Sequence, residues 1–503
     1  MDQELALAIL MSGRSALLTG AAGTGKTHLL NTFIMQARDQ GKKVSVTATT
    51  GLAATHLGGN TIHSWSGIGV SDHLANNFFD RLSKTRREVI TKTDVLVIDE
   101  ISMLHDFRLD MVDRVLRGVR ENDQPFGGIQ LVMSGDFFQL PPINRPGEQG
   151  GGFVVYSEAW QELQPAVLYL ERQYRQNDEH LLEILTALRN DDIRRHHAEM
   201  LLARTEVELP DGDITELHTV NVDVDAINSQ KLAELAGEER TYQQTTTGSK
   251  VYVENLQRSV LAPSELTLKL GALVMAVKNS PQKLYANGSI GTVVDFEPLT
   301  DYPIVEFRSG QQVTMVPDVW ELRDGERKRA SISQVPLRLA WAITVHKSQG
   351  MTLDAAKIDL RKAFVEGMGY VALSRVRDLD NLYLYGINRK ALEISPDALA
   401  IDEVLQQASS EAAKHYRPML EEMKRKQPAP KKSSKSTSWQ QKIAKMRETH
   451  PKAYMPWEKA DDDTLKQEFL QGATIQQLSQ KLGRHEGSIK MRLQKHFGEE
   501  VLG

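Results

Sequence analysis

The segment Gly20–Thr27 combines glycine, lysine and threonine at a spacing that can bind phosphate. It reads Gly20-Ala21-Ala22-Gly23-Thr24-Gly25-Lys26-Thr27. In a loop of this kind backbone N–H groups point at one anion, Lys26 reaches the β- and γ-phosphates, and the Thr27 hydroxyl can hold Mg²⁺. We therefore expect every residue of the segment to contribute to binding a nucleoside triphosphate.

An acidic pair and a glutamine follow two apolar runs. Asp99-Glu100 comes directly after Val95–Ile98, and Gln139 lies shortly after Ile129–Ser134. Such runs are typical of parallel strands covered on both faces, and ligands bind outside the carboxyl ends of those strands. We expect Asp99 to hold Mg²⁺, directly or through water, Glu100 to act as general base, and Gln139 to sense the γ-phosphate.

The residues on either side of the glycine-rich segment predict a strand, a turn and a helix. Ala16-Leu17-Leu18 has the composition of a short buried strand. Apolar residues at helical spacing follow the segment, namely Leu29, Leu30, Phe33, Ile34 and Ala37. A chance glycine-rich turn would lack this setting, so nucleotide hydrolysis in an α/β domain is the favoured interpretation.

Length and composition limit the class of protein. A chain of 503 residues exceeds one hydrophobic core and predicts three or more domains. There is no cysteine, which excludes disulfides and thiolate metal sites and leads us to expect a cytoplasmic location. No apolar run approaches the roughly 20 residues that cross a bilayer. Met1–Leu10 carries acids rather than a basic leader, so we expect neither a membrane span nor a signal peptide.

Alternating strand and helix patterns predict two α/β domains, a β-rich insertion and an all-α C-terminal part. The expected boundaries are residues 1–185 for the first domain with a small insertion at about 63–90, 186–400 for the second domain with a β-rich insertion at about 241–330, 401–423 for a helical extension, 424–455 for a basic linker, and 456–503 for a helix-turn-helix module. Turn pairs such as Asn287-Gly288 mark the insertion, while Pro and Ser among lysines mark the linker.

Charge is distributed unevenly along the chain. The net charge is −5, yet residues from Lys424 onward include 17 Lys or Arg and 9 Asp or Glu. A basic tail suggests contact with a polyanion, although charge alone favours a solvated tail equally. Gly483 separates the last two predicted helices, and the final one carries Lys490 and Arg492, which we expect to reach nucleic acid. A protein-docking module is the alternative.

Two further sets of residues have more ordinary interpretations. The polar stretch that holds Trp65, Phe78 and Phe79 is of a kind that often carries ligand contacts. Packing is nevertheless the favoured interpretation for these aromatic side chains. His346 has no cluster of further ligands nearby in sequence, so we do not expect a metal there.

Taken together, the motifs resemble the Pif family of DNA helicases, in the RecD-like group of superfamily one. The resemblance covers about residues 1–400 and rests on segments in the family's order: Gly20–Thr27, Asp99-Glu100, Gly135–Pro142, Arg175-Gln176, Leu273–Gly291, His346–Gly350 and Tyr370–Arg375. It implies an α/β fold of two RecA-like P-loop domains with a small β-barrel insertion in the second. The C-terminal all-α helix-turn-helix module resembles an appendage of some bacterial members.

The resemblance also implies residue roles. Gln3 matches the glutamine that reads adenine, and Gln139 matches the γ-phosphate sensor. Arg175 and Arg375 match the arginine fingers. Gln349 and Gly350 match the motif that couples the state of the bound ATP to DNA binding. The positions that match DNA contacts are Thr49, Thr50, His63, Trp65, Asn279, His346 and Lys347.

The implied activity is that of an ATP-dependent 5′ to 3′ DNA helicase acting in replication, recombination or repair. Its cofactors would be ATP and Mg²⁺, and its partners single-stranded and forked DNA. Single-strand binding protein and the replication machinery are further candidates, and we expect a monomer. Two other classes stay open: a non-translocating nucleotide switch on DNA, and an RNA helicase or motor subunit of a nuclease complex.

Overall fold

The computed structural model describes the chain apart from residues 70–71, 145–148, 177, 210–213, 281, 283, 325–326, 427–449, 453–456, 458 and 498–503. It divides into two compact units, Met1–Pro418 and Met419–Gly503. Among the described residues, no helix combines the length and apolar content needed to span a bilayer.

A six-stranded parallel sheet forms the centre of the first domain. Its strands are β1 (Ala16–Gly20), β2 (Val44–Ala48), β3 (Asn60–Thr61), β4 (Val95–Asp99), β5 (Gln130–Ser134) and β6 (Ala166–Leu170). They lie in the order β3-β2-β4-β5-β1-β6, and every neighbouring pair is parallel. The carboxyl ends of β1, β4 and β5 therefore share one edge, where a ligand of this kind of sheet binds.

Helices connect these strands. They span Gln3–Met11, Lys26–Asp39, Gly51–His56, Ile62–Ser66, Phe78–Arg81, Lys84–Lys92, Asp106–Arg120 and Glu158–Leu163. β1 and β5 are buried along their whole length, as their apolar runs predict. The predicted helical stripe Leu29, Leu30, Phe33, Ile34 and Ala37 is the buried face of helix Lys26–Asp39. The predicted strand, turn and helix around the glycine-rich segment are thus confirmed.

The second domain combines a parallel sheet with a β-rich insertion. Its strands are β7 (Thr215–His218), β8 (Arg240–Gln243), β9 (Thr245–Gly248), β10 (Glu265–Leu268), β11 (Leu273–Ala276), β12 (Ile290–Phe296), β13 (Pro303–Phe307), β14 (Gln312–Thr314), β15 (Asp318–Asp324), β16 (Arg327–Gln334), β17 (Leu337–Leu339), β18 (Ala342–Thr344), β19 (Ala356–Leu360) and β20 (Leu382–Ile387). The order β18-β7-β19-β20 forms a four-stranded parallel sheet. Its helices are Arg195–Ala203, Asn221–Glu234, Lys250–Ser259 and Met368–Leu373.

The insertion consists of the strands β8 to β17, which pair into three antiparallel sheets. It therefore runs past the predicted end at residue 330, because β17 pairs with β11 and completes the five-stranded sheet. A short strand without a turn signal after it leaves little trace in the sequence.

Two helices run across predicted domain boundaries. Helix Glu179–Arg189 crosses the boundary expected at residue 185, and Arg189 bonds to Asp136 of the first domain. The predicted extension 401–423 is part of a longer helix, Pro396–Lys426. This helix lies against β6, since the Tyr169 backbone N–H donates to Ser409 Oγ at 3.1 Å. Both helices thus make side-chain contacts with the first domain.

The described part of the unit Met419–Gly503 includes three short helices with their own core. They span Lys459–Leu470, Ile475–Leu482 and Glu486–Phe497, within the predicted helix-turn-helix module. Their shared core is Leu465, Leu478, Leu482, Ile489 and Leu493. Gly483 ends the second helix in the left-handed region, at φ +62°. Most of the predicted basic linker lies outside the described residues.

Candidate ATPase site and DNA interface

The glycine-rich segment links β1 to helix Lys26–Asp39. Gly20 has φ +137°, and a Cβ there would lie 2.4 Å from Leu170 O, so glycine is required. Lys26 folds back over the segment, where its Nζ donates to Gly20 O at 2.7 Å and to Ala21 O at 3.1 Å. Burial lowers the pKa of Lys26, while the carboxylates of Asp136 and Glu100 oppose this effect. The ammonium group is therefore placed where an anion would stabilise it.

The acidic pair lies at the end of β4, beside this segment. Burial raises the pKa of Asp99, and a hydrogen bond from Ser134 opposes the rise. Burial and the neighbouring Asp99 raise the pKa of Glu100 to about 7. The Glu100 backbone is in the left-handed region, at φ +53° and ψ +44°. A carboxyl group that titrates near neutral pH suits a general base.

Gln349 of the second domain reaches both predicted catalytic groups of the first. Its Nε2 donates to Glu100 Oε2 at 3.1 Å and to Gln139 Oε1 at 3.2 Å. Gln139 is only 7% exposed and Gln349 only 8% exposed. The described conformation therefore has a closed cleft in which one side chain bridges the two domains.

The two predicted arginine fingers lie on opposite sides of the same cleft. Arg175 Nη1 donates to Ser374 O at 3.3 Å. Arg375 is 1% exposed, and its guanidinium donates to the carbonyls of Val371, Ser348 and Met351. Burial and the nearby Arg175 lower the pKa of Arg375 to about 9. Two desolvated cations face one cavity, which is an arrangement that an anionic ligand would stabilise.

A cavity of about 480 Å³ lies between these groups. Its lining brings together predicted residues of both domains: Ala22, Gly23, Gly25, Lys26, Thr27, Glu100, Gln139, Arg175, Gly350 and Arg375. Tyr174, Thr352 and Arg377 also line it and were not predicted. The volume and the polar groups are suited to a nucleotide.

Gln3 and Tyr174 lie at one end of the glycine-rich segment. Gln3 Nε2 donates to Thr24 O at 3.2 Å. A Cβ added at Gly25 would have Gln3 Nε2 and the Tyr174 ring among its nearest neighbours. Tyr174 is 53% exposed, and the Arg172 guanidinium lies over its ring, 5.1 Å from the ring centroid. Its place directly before Arg175 is the signal in the sequence that could have identified it.

Several predicted DNA contacts line a second cavity of about 270 Å³. Thr50, His346 and Lys347 lie on its wall together with Asp99 and Glu100. Burial lowers the pKa of both His346 and Lys347. The predicted DNA-binding and hydrolytic groups are thus neighbours rather than separate sites.

The structure corrects two of the predicted DNA contacts. Thr49 is buried, and its hydroxyl donates to Glu100 O at 2.9 Å, so it supports the turn that carries Glu100. Trp65 is 7% exposed and packs in the hydrophobic core, as the packing interpretation holds. Neither side chain presents a surface to a nucleic acid strand in this conformation.

His63 and Asn279 have intermediate and exposed positions, respectively. Burial next to Arg108 lowers the pKa of His63 to about 4, so its ring is neutral at physiological pH. Asn279 Oδ1 accepts the Asn287 backbone N–H at 2.9 Å. Both stay predicted contacts, and neither carries a positive charge.

In the C-terminal unit the structure corrects Arg492. Its guanidinium binds the Asp462 carboxylate through two hydrogen bonds, one at 2.7 Å, and lies over the Trp457 ring. Nε and Nη2 of Arg492 therefore bind the unit's own acid, which makes a contact with a nucleic acid phosphate less favourable. Lys490 is exposed and stays a predicted contact.

Glu183, His196 and His197 are a further group of potential metal ligands, and none of the three lines either cavity. His197 Nδ1 accepts the Arg194 backbone N–H at 3.1 Å, which leaves the proton of the neutral ring on Nε2. That Nε2 lies 3.3 Å from Glu183 Oε1 and can donate to it. The group therefore acts as a hydrogen-bonded helix cap rather than as a set of free metal ligands.

Comparisons with known proteins agree with this geometry. Residues 2–203 match the model of the PIF1-like helicase family. The chain is 40% identical over 476 residues to the ATP-dependent DNA helicase Pif1 of Psychrobacter sp., covering 83% of this chain and 72% of that protein.

Two solved structures of Bacteroides Pif1 are similar as well. A complex with ADP-AlF4 has a TM-score of 0.71 at 30% identity, over 81% of this chain and 97% of that chain. A complex with ADP-AlF3 and ssDNA has a TM-score of 0.59 at 31% identity, over the same shares of the two chains. The chain therefore belongs to the PIF1-like helicase family and is an ATP-dependent DNA helicase.

Proposed function

We propose that this helicase hydrolyses ATP in the cleft between its two α/β domains and uses closure of the cleft to move 5′ to 3′ along single-stranded DNA. The observation that supports this best is the contact of Gln349 with Glu100 and Gln139. Since one second-domain side chain touches both the proposed base and the proposed sensor, opening the cleft alters the surroundings of both.

The first-domain groups carry out the proton transfer. A water oxygen attacks the γ-phosphorus, the bond to the β-γ bridging oxygen breaks, and the proton of the water passes to Glu100. The pKa of Glu100, raised to about 7 by burial and by Asp99, is suited to this transfer at neutral pH. Lys26 exchanges its two carbonyl acceptors for phosphate oxygens, which relieves the cost of its burial.

Arg175 and Arg375 act on the charge that develops on the phosphoryl group. An arginine in this position contributes roughly 10³- to 10⁵-fold to the rate in other nucleotide hydrolases. Both line the cavity that holds Lys26. Arg375 reaches the phosphate when its guanidinium leaves the carbonyl groups that it now contacts.

Thr27 and Asp99 fit a Mg²⁺ ion. They offer a hydroxyl and a carboxylate oxygen, the hard donors that Mg²⁺ prefers, and both line the cavity of about 270 Å³. Burial raises the pKa of Asp99, a cost that a nearby divalent cation would offset. When bound, Mg²⁺ supplies positive charge to the phosphates.

Gln3 and Tyr174 form the proposed adenine subsite. The amide of Gln3 can bond to the base edge, while the exposed Tyr174 ring can stack on its face. On the other side of the cleft, Thr50, His346 and Lys347 contact the DNA strand, next to Asp99 and Glu100. DNA contact can therefore influence hydrolysis over a short distance. Single-stranded and forked DNA are the proposed partners, with the protein acting as a monomer.

The test is ATP turnover and strand separation by Glu100→Gln. We expect at least a hundredfold loss of single-strand-stimulated turnover with retained nucleotide binding. Glu121→Gln is the matched control, because Glu121 has the same left-handed backbone conformation, at φ +51° and ψ +44°, and lines neither cavity. Duplexes with 5′ or 3′ overhangs report polarity, and we expect unwinding from the 5′ overhang only.

Three results would contradict the proposal. Near-normal turnover of Glu100→Gln would contradict the assignment of Glu100 as the general base. Turnover that is indifferent to single strands would favour the non-translocating switch. Equal stimulation by single-stranded RNA and DNA would favour an RNA helicase.

A further inference from the structure

Tyr370 of the second domain makes a direct contact with the phosphate-binding segment. Its hydroxyl oxygen accepts the Ala22 backbone N–H at 3.0 Å. The same hydroxyl lies 3.3 Å from Asp136 Oδ2 and 3.1 Å from Arg189 Nη1. Tyr370 is 1% exposed, so water does not compete for these bonds.

The chemistry of the partners fixes the direction of each bond. Neither the Ala22 N–H nor the Arg189 guanidinium can accept a hydrogen bond, so both donate to the phenol oxygen. The phenol proton is then donated to the Asp136 carboxylate. The hydroxyl thus uses its single donor and both acceptor positions at once. Burial raises the pKa of Tyr370 to about 12, so this proton is retained at any physiological pH.

Asp136 extends the contact to the proposed γ-phosphate sensor. It accepts two bonds from Arg189 Nη1, at 2.8 and 3.0 Å, and one from Gln139 Nε2 at 3.4 Å. The bond from Gln139 Nε2 orients the amide, so that its Oε1 faces Gln349. A displacement of Asp136 would therefore turn the sensor away from its partner.

Tyr370 also lies on the helix that precedes Arg375. This helix spans Met368–Leu373, and Ser374 directly after it accepts bonds from Arg175 and Gln176 of the first domain. The segment is therefore held against the first domain by Tyr370 on one side and by Ser374 on the other. Arg375 follows Ser374 in the chain, so its position depends on both contacts.

We propose that Tyr370 is a positioning residue for ATP hydrolysis, whose hydroxyl aligns the phosphate-binding segment, Gln139 and the helix leading to Arg375. The inference rests on the proposed function, because it takes the roles of Gln139 and Arg375 from there. Tyr370 does not touch the reacting atoms, and its contribution is made through the groups that do.

The experiment compares Tyr370→Phe with Tyr169→Phe. Each change removes one hydroxyl from the same buried network, since Tyr169 OH contacts Arg189 and Asp402 but not the phosphate-binding segment. For Tyr370→Phe we expect at least a tenfold loss of kcat for DNA-stimulated ATP hydrolysis, with KM within about twofold. For Tyr169→Phe we expect kcat within about twofold, and the thermal midpoints of the two variants should be similar.

A double variant shows whether Tyr370 acts through the sensor. If it does, Tyr370→Phe combined with Gln139→Ala should turn over no more slowly than the slower single variant. Fully multiplicative losses would contradict the route through Gln139. Normal kcat in Tyr370→Phe, or equal losses in Tyr370→Phe and Tyr169→Phe, would overturn the inference. Neither outcome alters the proposed function, which is tested separately by Glu100→Gln and by the dependence of turnover on single-stranded DNA and RNA.

Discussion

Replacing Gln349 by alanine should separate nucleotide binding from turnover. The side chain bridges the domains through one bond to a carboxylate and one to an amide, at 3.1 and 3.2 Å. A buried bond to a charged group contributes roughly 1.5–3 kcal/mol and a neutral one roughly 0.5–1.5 kcal/mol. Loss of both would destabilise the closed cleft by about 2 to 4.5 kcal/mol.

If hydrolysis requires the closed cleft, this loss appears directly in the rate. At about 1.4 kcal/mol for each factor of ten, turnover should fall by roughly 30- to 1,600-fold. The affinity for ATP should change much less, because Lys26 and the glycine-rich segment belong to the first domain. Steady-state ATP hydrolysis with a saturating single-stranded oligonucleotide gives kcat, and a fluorescent nucleotide analogue gives the affinity.

Gln334→Ala is a matched control for this experiment. Gln334 is also a buried glutamine, and its Nε2 donates to Tyr242 O and Pro263 O, both at 3.0 Å, within the β-rich insertion. Its replacement should lower thermal stability and leave kcat unchanged. Turnover of Gln349→Ala within about twofold of the unaltered protein would refute the view that this bridge couples closure to hydrolysis.

Three further outcomes are expected. Acidification from pH 6.5 to 4 should destabilise the first domain through His63. The pKa of His63 is lowered to about 4 in the folded protein, so over this pH range the unfolded chain binds a proton that the folded chain does not bind. The cost is about 3 kcal/mol, and His63→Gln should flatten this part of the pH profile of urea unfolding. Arg492→Ala should destabilise the C-terminal unit by about 1 to 2 kcal/mol and leave DNA affinity unchanged, because the partner of Arg492 is Asp462. Weaker DNA binding at unchanged stability would instead show that Arg492 contacts DNA. Lys490→Ala should reduce the slope of log affinity against log salt by about one phosphate contact, and an unchanged slope would exclude Lys490 from the interface.

The sequence predicts the local parts of the site well. Gly20–Thr27 lies between a strand and a helix, as predicted, and Asp99 ends a buried strand. These predictions succeed because loop, strand and helix are neighbours in the chain, so that apolar periodicity fixes where the polar groups fall. The shared edge of the parallel sheet then brings the segments together.

Contacts between distant segments could not be predicted in the same way. Gln349 lies 249 positions from Glu100, and Tyr370 lies 348 positions from Ala22. The resemblance to a helicase family implied a coupling role for Gln349 but named no partner for it. The charge of Arg492 led to the prediction of a DNA contact, whereas its partner in the structure is Asp462 on another helix. Whether a polar side chain faces solvent depends on the tertiary fold, which spacing does not contain.

The left-handed backbone conformation of Glu100 lowers the stability of the fold at a position that catalysis requires. A residue with a Cβ is disfavoured in the left-handed region by roughly 1 to 2 kcal/mol, whereas glycine is at ease there. Replacement of Glu100 by glycine would thus relieve this strain, but the protein would then have no carboxylate at this position to receive the proton of the attacking water. The protein retains this strained turn because the turn directs the Glu100 carboxylate into the cleft. Selection for stability alone would favour loss of that carboxylate and therefore of the activity.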